Sequence, residues 1–259
     1  MFSIWWGSPL TARRSALVLA LALAACGESS APHLAAKPGV SAGSAHCLSL
    51  SAGGILAVVG ANHRGQLGIA TDTVEIQQSR AVAGLPSLAL ARAGNAHSVV
   101  LTLDGSAFAF GDNRYGQLGR SQPSFTSTPQ RVDIGEALID LASGGAHVVA
   151  LGKSGQAYGW GSNEQMQLGV DGVRQAFRPI RLHSEAGVKA IAASGARSAL
   201  LLRDGSVHVF GGGKRDRQCC WAEATFLTFG PAALIVRADA QVVAEIPQPP
   251  SAAAYDCGR

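Results

Sequence analysis

The chain repeats one nine-residue stretch three times at an almost constant interval. The copies read GANHRGQLG, GDNRYGQLG and GSNEQMQLG, and they begin at Gly60, Gly111 and Gly161. These starting glycines are 51 and 50 residues apart. Self-similarity at a period of about 20 to 50 residues is typical of repeat architectures, in which each unit buries its apolar face against its neighbours. The interval therefore constrains the fold more than any single residue does.

A second motif keeps the same interval and divides each unit into short strands. A glycine-led corner ends at His46, His97 and His147, and Arg197 takes this position in the fourth unit. An apolar run, a turn such as Asp104-Gly105, and another apolar run follow each corner. Asp-Gly between apolar runs favours a hairpin because glycine adopts positive φ without steric cost. With one apolar run before the corner and one after the loop, each unit has the four strands of a β-propeller blade.

Together these motifs resemble the regulator of chromosome condensation repeat, and the likeness covers residues 41 to about 211. The resemblance implies an all-β fold: a β-propeller or partial propeller of four-stranded antiparallel blades. Four repeats are clear, and residues 230–243 align without gaps on residues 195–208, which predicts one degenerate further blade. The usual member of the family has seven blades. Three arrangements stay open: an arc completed by a second chain as a homo-oligomer, a compact smaller ring, and a truncated gene product.

The N-terminal residues have the features of a bacterial export signal. Arg13 and Arg14 precede an apolar run, Ser15–Ala25, which is shorter than the roughly 20 residues that a membrane-spanning helix needs. The segment LAAC, ending at Cys26, resembles the lipobox of bacterial lipoproteins. This resemblance implies lipidation of Cys26, a membrane anchor and, with Gly27 next, an outer-membrane location. The alternative is an ordinary secretory signal and a secreted or periplasmic protein.

The sequence thus predicts four regions. These are a signal peptide at 1–25, a flexible Ser/Ala/Pro-rich tether at 26–40, propeller repeats at 41–245 and an unstructured tail at 246–259. The net charge of +4 falls to +2 without Arg13 and Arg14, and no basic cluster suggests nucleic-acid binding. Cysteines at 47, 219, 220 and 257 can oxidise in an exported protein, and a bridge from Cys47 to Cys257 is one possibility; buried free thiols are the alternative.

Most of the recurring residues are predicted to have structural roles. A metal ring is one interpretation of the three histidines, but equivalent positions on successive sheets lie about 10 Å or more apart, too far for shared ligation. We therefore expect the histidines to hold the glycine corner, and the glutamines to satisfy backbone groups of the Gly-rich turns. The recurring positions are His46, His97, His147, Gly60, Gly111, Gly161, Gln66, Gln117 and Gln167.

Residues that do not recur are the better candidates for binding. The loops that follow each Gln-Leu-Gly differ freely, and binding residues concentrate on loops that packing does not constrain. Aromatic and arginine side chains dominate protein interfaces. The predicted binding residues are Arg120, Phe125, Arg174, Phe177 and Arg178, with solvated connecting loops as the alternative interpretation.

The sequence contains no nucleophile paired with a base and no nucleotide-binding glycine loop, so it predicts neither catalysis nor a cofactor or metal. We expect a non-catalytic propeller, anchored in the cell envelope, that binds a protein or glycan through its variable loops. Nucleotide exchange on a small GTPase, as in the founding member of the family, is one alternative. A propeller glycan hydrolase or lyase is the other.

Overall fold

The computed structural model describes residues 34–121, 124–182, 187–220, 226–229, 233–238 and 241–247, with side chains up to Gly213. These residues form 19 β-strands and no helix, so the all-β prediction is confirmed. None of the described segments forms a helix long and apolar enough to cross a membrane. The signal peptide, Cys26 and the tail beyond Pro247 lie outside the described residues.

Sixteen of the strands form four antiparallel sheets of four, which we call blades 1 to 4. Blade 1 contains β1 (Gly39–Ala42), β2 (His46–Leu50), β3 (Leu56–Ala61) and β4 (Glu75–Ala81). Blade 2 contains β5 (Leu88–Ala93), β6 (His97–Thr102), β7 (Ala107–Asp112) and β8 (Phe125–Val132). Blade 3 contains β9 (Leu138–Ser143), β10 (His147–Gly152), β11 (Ala157–Ser162) and β12 (Gln175–Arg181). Blade 4 contains β13 (Val188–Ser194), β14 (Arg197–Leu202), β15 (Ser206–Gly211) and β16 (Lys214–Cys220).

A fifth sheet follows blade 4, with three strands among the described residues. It contains β17 (Phe226–Phe229), β18 (Ala233–Ala238) and β19 (Gln241–Pro247). The antiparallel pair β18–β19 stands where the sequence predicts the degenerate hairpin. Each sheet packs on the next in chain order, because β5 contacts β1 and β2, β9 contacts β5 and β6, β13 contacts β9 and β10, and β17 contacts β13 and β14.

In each of blades 1 to 4 the pairing register shifts at the same place, between the third and the fourth strand. In blade 2 the pairing of β7 with β8 shifts between Ala109 and Gly111, so Phe110 bulges into the core and is fully buried. Gly111 then adopts a φ of 106°, and a Cβ there would lie 2.5 Å from the Ala96 carbonyl oxygen. Only glycine fits this combination of positive φ and close backbone approach. The recurrence of this glycine is thus a backbone requirement.

The apolar core lies between the blades. One cluster joins blades 1 and 2 and includes Leu48, Leu67 and Phe110. A larger cluster joins blades 2, 3 and 4 and includes Leu118 and Trp160. Burying a large apolar side chain stabilises the fold by about 1.5–3 kcal/mol. Blade-to-blade packing, rather than the inside of any one sheet, therefore supplies most of the hydrophobic stabilisation.

The predicted flexible tether is wrong for its last residues. The backbone amide of Leu34 donates to the Leu103 carbonyl (3.0 Å), and that of Lys37 donates to the Ala89 carbonyl (2.9 Å). β1 then begins at Gly39, inside the range expected to be tether. Residues 34–37 thus use backbone groups of blade 2 as partners. The segment lacks apolar alternation, so its sequence gave no sign of this.

Blade 4 differs from the others in its last connection. In blades 1 to 3 the third and fourth strands are joined by long loops, whereas β15 and β16 are joined by a turn at Gly212 and Gly213. Blade 4 therefore lacks the long loop that blades 1 to 3 carry. Met166 of blade 3, where blades 1 and 2 have Gly65 and Gly116, adopts a φ of 63° beside this shortened blade.

Candidate functional site

The two ends of the strands differ in what they expose. We call one the loop end, because it carries the glycine corners and the long loops β3–β4, β7–β8 and β11–β12. The opposite end, the turn end, carries the tight turns between the second and third strands. Three of the exposed large apolar residues, Val74, Tyr115 and Phe125, lie at the loop end, whereas Ile55 lies at the turn end. Exposed apolar groups are thus more frequent at the loop end, which favours it as an interaction surface.

A ladder of backbone hydrogen bonds joins the corners of successive blades. The Ser44 amide donates to the Asn95 carbonyl (3.3 Å), the Asn95 amide to the Gly145 carbonyl (2.9 Å), and the Gly145 amide to the Gly195 carbonyl (2.7 Å). At the turn end, Leu88, Leu138 and Val188 donate in the same way to Gly54, Gly105 and Gly155, over 2.9–3.0 Å. Both ends of each blade are therefore tied to the next by the backbone.

The recurring histidines add side-chain bonds between blades. His46 Nε2 bonds to Ser98 Oγ of blade 2 (3.0 Å), and His147 Nε2 bonds to Ser198 Oγ of blade 4 (2.8 Å). His97 Nε2 reaches Ser143 Oγ of blade 3 (3.1 Å). Each ring also lies so close to the first glycine of its own corner that a Cβ there would collide with it. The corner contact that the sequence suggests is present, and the histidines also link neighbouring blades.

The hydrogen bonds of the serines show which ring nitrogen of each histidine carries the proton. Ser98 Oγ donates to the Gln66 carbonyl (2.7 Å), so it accepts from His46 Nε2. Burial lowers the pKa of His46 and His147 to about 4 and that of His97 to about 3. The rings are therefore neutral at pH 7, and Nδ1 is left as a buried acceptor without a partner in all three. In the His46–Ser98 and His147–Ser198 pairs the serine proton is directed at a carbonyl in a buried site, so these two pairs are not arranged for nucleophilic catalysis.

The turns of the nine-residue motif are held by two side chains in the same way in blades 1 to 3. Gln117 Oε1 accepts from the Tyr115 amide (2.9 Å), and Asn113 Oδ1 accepts from the Leu118 amide (3.0 Å). Gln66 and Gln167 make the equivalent bonds in blades 1 and 3, over 2.9 and 2.8 Å. These turns are rigid, and their two intervening residues are free to vary.

A cleft of about 480 Å³ opens at the loop end, with the corners of all four blades as its floor. Its rim comes from the motif turns and contains Tyr115, Ser162, Glu164, Gln165 and Gln167. The backbone ladder makes the floor rigid, while Tyr115, Glu164 and Gln165 are exposed. A fixed floor with variable polar and aromatic groups at its rim is suited to binding.

A second cavity, of about 500 Å³, lies at the turn end between blades 2 and 3. Two of its carboxylates already accept hydrogen bonds from local groups. Asp104 accepts from the Ser106 amide (3.1 Å), and the Glu136 carboxylate accepts from the Ser154 amide (3.0 Å) and the Tyr158 hydroxyl (2.7 Å). The cleft at the loop end is therefore the better candidate site.

The binding residues predicted from the loops do not form one patch. Arg120 donates to Gln130 Oε1 (2.7 Å) and so braces its own loop against β8. Phe125 is 46 % exposed at the start of β8, and Arg178 is exposed on β12. Phe177 is half-buried and lies where blade 2 packs on blade 3. A Cβ on Gly116 of blade 2 would lie only 2.8 Å from the Phe177 Cα. None of these residues lines the cleft.

Arg174 is largely exposed and lies 3.8 Å from the carboxylate of the cleft residue Glu164. It is thus the one predicted residue with a direct link to the cleft rim. Sequence reasoning missed Arg114, Tyr115, Glu164 and Gln165, because they lie inside the recurring motif. The signal that would have found them is the variation of this pair of positions among otherwise matching copies.

Among the residues with described side chains, no group of three or more His, Cys, Asp or Glu side chains is arranged to hold a metal ion. Cys47 is buried and disulfide-bonded.

The arrangement defines a repeat β-propeller with a rigid, bonded floor and a variable rim, and known sequences carry the same repeat. The family model described as "Regulator of chromosome condensation (RCC1) repeat" matches residues 104–151 and 154–201. A second model with the same description matches residues 138–167. Residues 104–151 and 154–201 are therefore RCC1 repeats, as their motifs predict.

Three comparisons show how far this similarity extends. The human "Probable E3 ubiquitin-protein ligase HERC6" is 39 % identical over 104 residues, which are 39 % of this chain and 10 % of that protein. Human WBSCR16 has a TM-score of 0.68 at 23 % identity, over 76 % of this chain and 58 % of that chain. Prp20p from Saccharomyces cerevisiae, studied for its binding to Gsp1p and histones, has a TM-score of 0.63 at 19 % identity, over 73 % and 53 % of the chains.

The matched segment thus spans about a tenth of the ligase. The chain covers little more than half of either solved propeller. At these identities the solved structures show the fold alone.

Proposed function

We propose that this protein is a non-catalytic propeller that binds a protein partner through the cleft and loops of the loop end. The observation that carries the proposal is that the cleft has a rigid floor and a variable rim. Backbone hydrogen bonds between the corners hold the floor, and the exposed side chains at the rim differ from one blade to the next. Rigid presentation lowers the entropic cost of binding, and aromatic and arginine residues supply most interface energy. Protein binding by the fold neighbour Prp20p, which binds Gsp1p and histones, supports this class of function.

Site-specific photo-crosslinking tests the proposal. The photo-reactive residue p-benzoylphenylalanine replaces Gln165 at the cleft rim, Phe125 at the loop end or, as the control, Ile55 at the turn end. All three positions are exposed. In cells that make the protein, we expect Gln165 and Phe125 to yield an adduct with one and the same protein and Ile55 to yield none. Adducts only from Ile55, or with unrelated proteins from each position, would contradict the proposal.

We also propose that the protein is anchored in the bacterial cell envelope by lipid on Cys26. The LAAC segment ending at Cys26 and the disulfide at Cys47 support an exported protein, since disulfides persist mainly in oxidising compartments. The test is incorporation of radiolabelled palmitate in a two-membrane bacterial host. Label in the wild type and in Cys257→Ser, but not in Cys26→Ser, is expected. Equal label in the Cys26→Ser variant would exclude the anchor.

Nucleotide exchange is the alternative, because the fold neighbour Prp20p binds Gsp1p. It is tested by the rate at which fluorescent GDP leaves a purified small GTPase. We expect no acceleration by the described propeller. An acceleration that is lost when Tyr115 is changed to Gln, the residue at the equivalent position of blade 3, would establish exchange at the same cleft.

A further inference from the structure

One buried carboxylate in blade 2 has no counterpart in its neighbours. Asp112 ends β7, and the equivalent positions at the ends of β3 and β11 are Ala61 and Ser162. The Asp112 side chain is only 4 % exposed. Removing a carboxylate from water costs several kcal/mol unless it is paired. Because blades 1 and 3 fold with uncharged residues here, the scaffold itself does not require this charge.

Asp112 fixes one exposed arginine. Its Oδ1 accepts from Arg114 Nε (2.9 Å), and its Oδ2 accepts from Arg114 Nη2 (3.0 Å) and from Gln117 Nε2 (3.2 Å). The hydrogen bond to Asp112 raises the pKa of Arg114. Arg114 itself is 54 % exposed. Two of its five N–H groups are used by Asp112, which leaves the two of Nη1 and one of Nη2 as donors.

The next residue, Tyr115, belongs to the cleft. Its ring is 36 % exposed and lines the rim, and its backbone amide is held by Gln117 Oε1 (2.9 Å). Gln117 therefore bonds both to the carboxylate that holds Arg114 and to the backbone of Tyr115. Arg114 and Tyr115 are thus successive exposed residues of a turn that is already rigid; Tyr115 lines the cleft, and Arg114 precedes it in the chain.

We propose that Arg114 and Tyr115, positioned by Asp112, form the anchor through which the cleft binds an acidic side chain of a protein partner. A guanidinium edge matches the two oxygens of a carboxylate, and such charge-assisted pairs are among the strongest polar contacts in interfaces. Asp112 keeps the guanidinium in place without the loss of side-chain entropy that a free arginine incurs on binding. This inference rests on the proposed function and names the chemistry of its partner.

The same cleft restricts where the acidic group can sit. Glu164 occupies in blade 3 the position of Arg114 in blade 2 and lines the rim. Its carboxylate repels a second carboxylate at that side of the cleft. In blade 1 the equivalent residue is His63, followed by Arg64. The charge pattern thus directs an acidic side chain towards blades 1 and 2, and away from blade 3.

Titration with short peptides tests the anchor without knowledge of the partner. The probe is the peptide acetyl-Glu₄-amide, with acetyl-Gln₄-amide as its neutral match and inorganic phosphate as a second anion. The readouts are the Nε–H resonance of Arg114 and the backbone amide resonance of Tyr115 in the ¹⁵N spectrum of the folded chain, and the Tyr115 amide also reports binding in variants that lack Arg114. We expect saturable shifts with the glutamate peptide and none with the glutamine peptide or with phosphate. Equal shifts with the glutamine peptide, or with phosphate, would contradict carboxylate recognition in a peptide.

Three variants separate the roles of the residues. Arg114→Glu and Asp112→Ser each adopt the residue of blade 3, so the turn tolerates both. Arg114→Glu abolishes binding of the glutamate peptide, while Arg131→Glu, an equal charge change at the turn end, leaves it unchanged. Asp112→Ser makes the site more positive, so a pure charge effect would tighten binding. Positioning predicts instead a weakening of about tenfold, because the guanidinium becomes mobile.

Tighter binding in Asp112→Ser, or unchanged binding in Arg114→Glu, would overturn the inference. Its failure is distinguishable from failure of the proposed function. If Gln165 and Phe125 still crosslink one protein while Arg114→Glu binds the peptide normally, the surface is correct and the anchor is wrong. If neither position crosslinks a protein, the proposed function itself fails.

Discussion

At the scale of single residues, two arrangements satisfy the same buried carbonyl in different blades. In blades 2 and 4 a serine hydroxyl fills this role: Ser98 donates to Gln66 O, and Ser198 donates to Gln167 O (2.7 and 2.6 Å). In blade 3 the serine position is Val148, and Trp160 Nε1 donates to Gln117 O instead (3.0 Å). Blades 2 and 4 thus combine this serine with Phe110 or Phe210 in the third strand, whereas blade 3 combines Val148 with Trp160. The exchange keeps every one of these carbonyls paired.

This exchange predicts a coupled pair of substitutions. Trp160→Phe leaves the Gln117 carbonyl without its donor and should lower the free energy of unfolding by about 1–3 kcal/mol. Adding Val148→Ser recreates the arrangement of blades 2 and 4 and should restore about 1 kcal/mol of that loss. Urea unfolding of both single variants and the double variant measures the coupling. Strictly additive effects would show that the carbonyl is not the shared partner.

Met166 is strained by its left-handed backbone, which costs a residue with a Cβ about 1–2 kcal/mol. Met166→Gly should therefore stabilise the protein by about 1 kcal/mol in thermal unfolding. The matched control is Gly116→Met, which should destabilise, because a Cβ on Gly116 would lie 2.6 Å from the Ala176 carbonyl oxygen. A loss of stability in Met166→Gly would mean that its side-chain contacts outweigh the strain.

At the scale of elements, the inter-blade histidines make the blade contacts sensitive to acid. Their pKa values fall from the ordinary 6.5 to about 4, 3 and 4 for His46, His97 and His147, mainly through burial. His46 and His147 lower the pKa of His97 further, while Asp112 raises it. The unfolded chain therefore binds more protons than the folded one between pH 6.5 and about 4.

Stability from this source is fully present above pH 6.5 and is lost as the pH falls towards 4. Urea unfolding at intervals between pH 7 and 4.5 should show a decline of several kcal/mol. His147→Gln should flatten the pH dependence by about one proton. A free energy of unfolding that is constant over this range would contradict the buried, neutral state of the rings.

Most of the strands and turns could be predicted from the sequence, because they depend on residues that are close together in the chain. The hairpins around Asp104-Gly105, the four strands of each blade and the glutamine bonds in the motif turns all follow from short-range patterns. The corner ladder does not, because it joins backbone groups about 50 residues apart and no side chain records it. Arg114 and Tyr115 were missed because their importance depends on the cleft, which forms only when four blades pack together.

At the scale of the whole molecule, the disulfide at Cys47 links blade 1 covalently to a second cysteine. A disulfide restricts the conformations of the unfolded chain, and it typically stabilises the folded state by about 2–4 kcal/mol. Reduction should lower the free energy of unfolding of the wild type by this amount, and it should leave Cys47→Ser unchanged. Peptide mapping by mass spectrometry identifies the second cysteine. A wild type that is insensitive to reductant would contradict a stabilising role for this bridge.

The proposed protein-binding surface of the molecule is the loop end. Hydrogen–deuterium exchange, measured with and without the crosslinked partner once it is purified, tests it most directly. We expect the backbone amides of the corners and of the β3–β4, β7–β8 and β11–β12 loops to exchange more slowly when the partner is bound. The amides of the turns at Gly54, Gly105 and Gly155 should not change. Protection confined to those turns, with unchanged loops, would contradict the proposal.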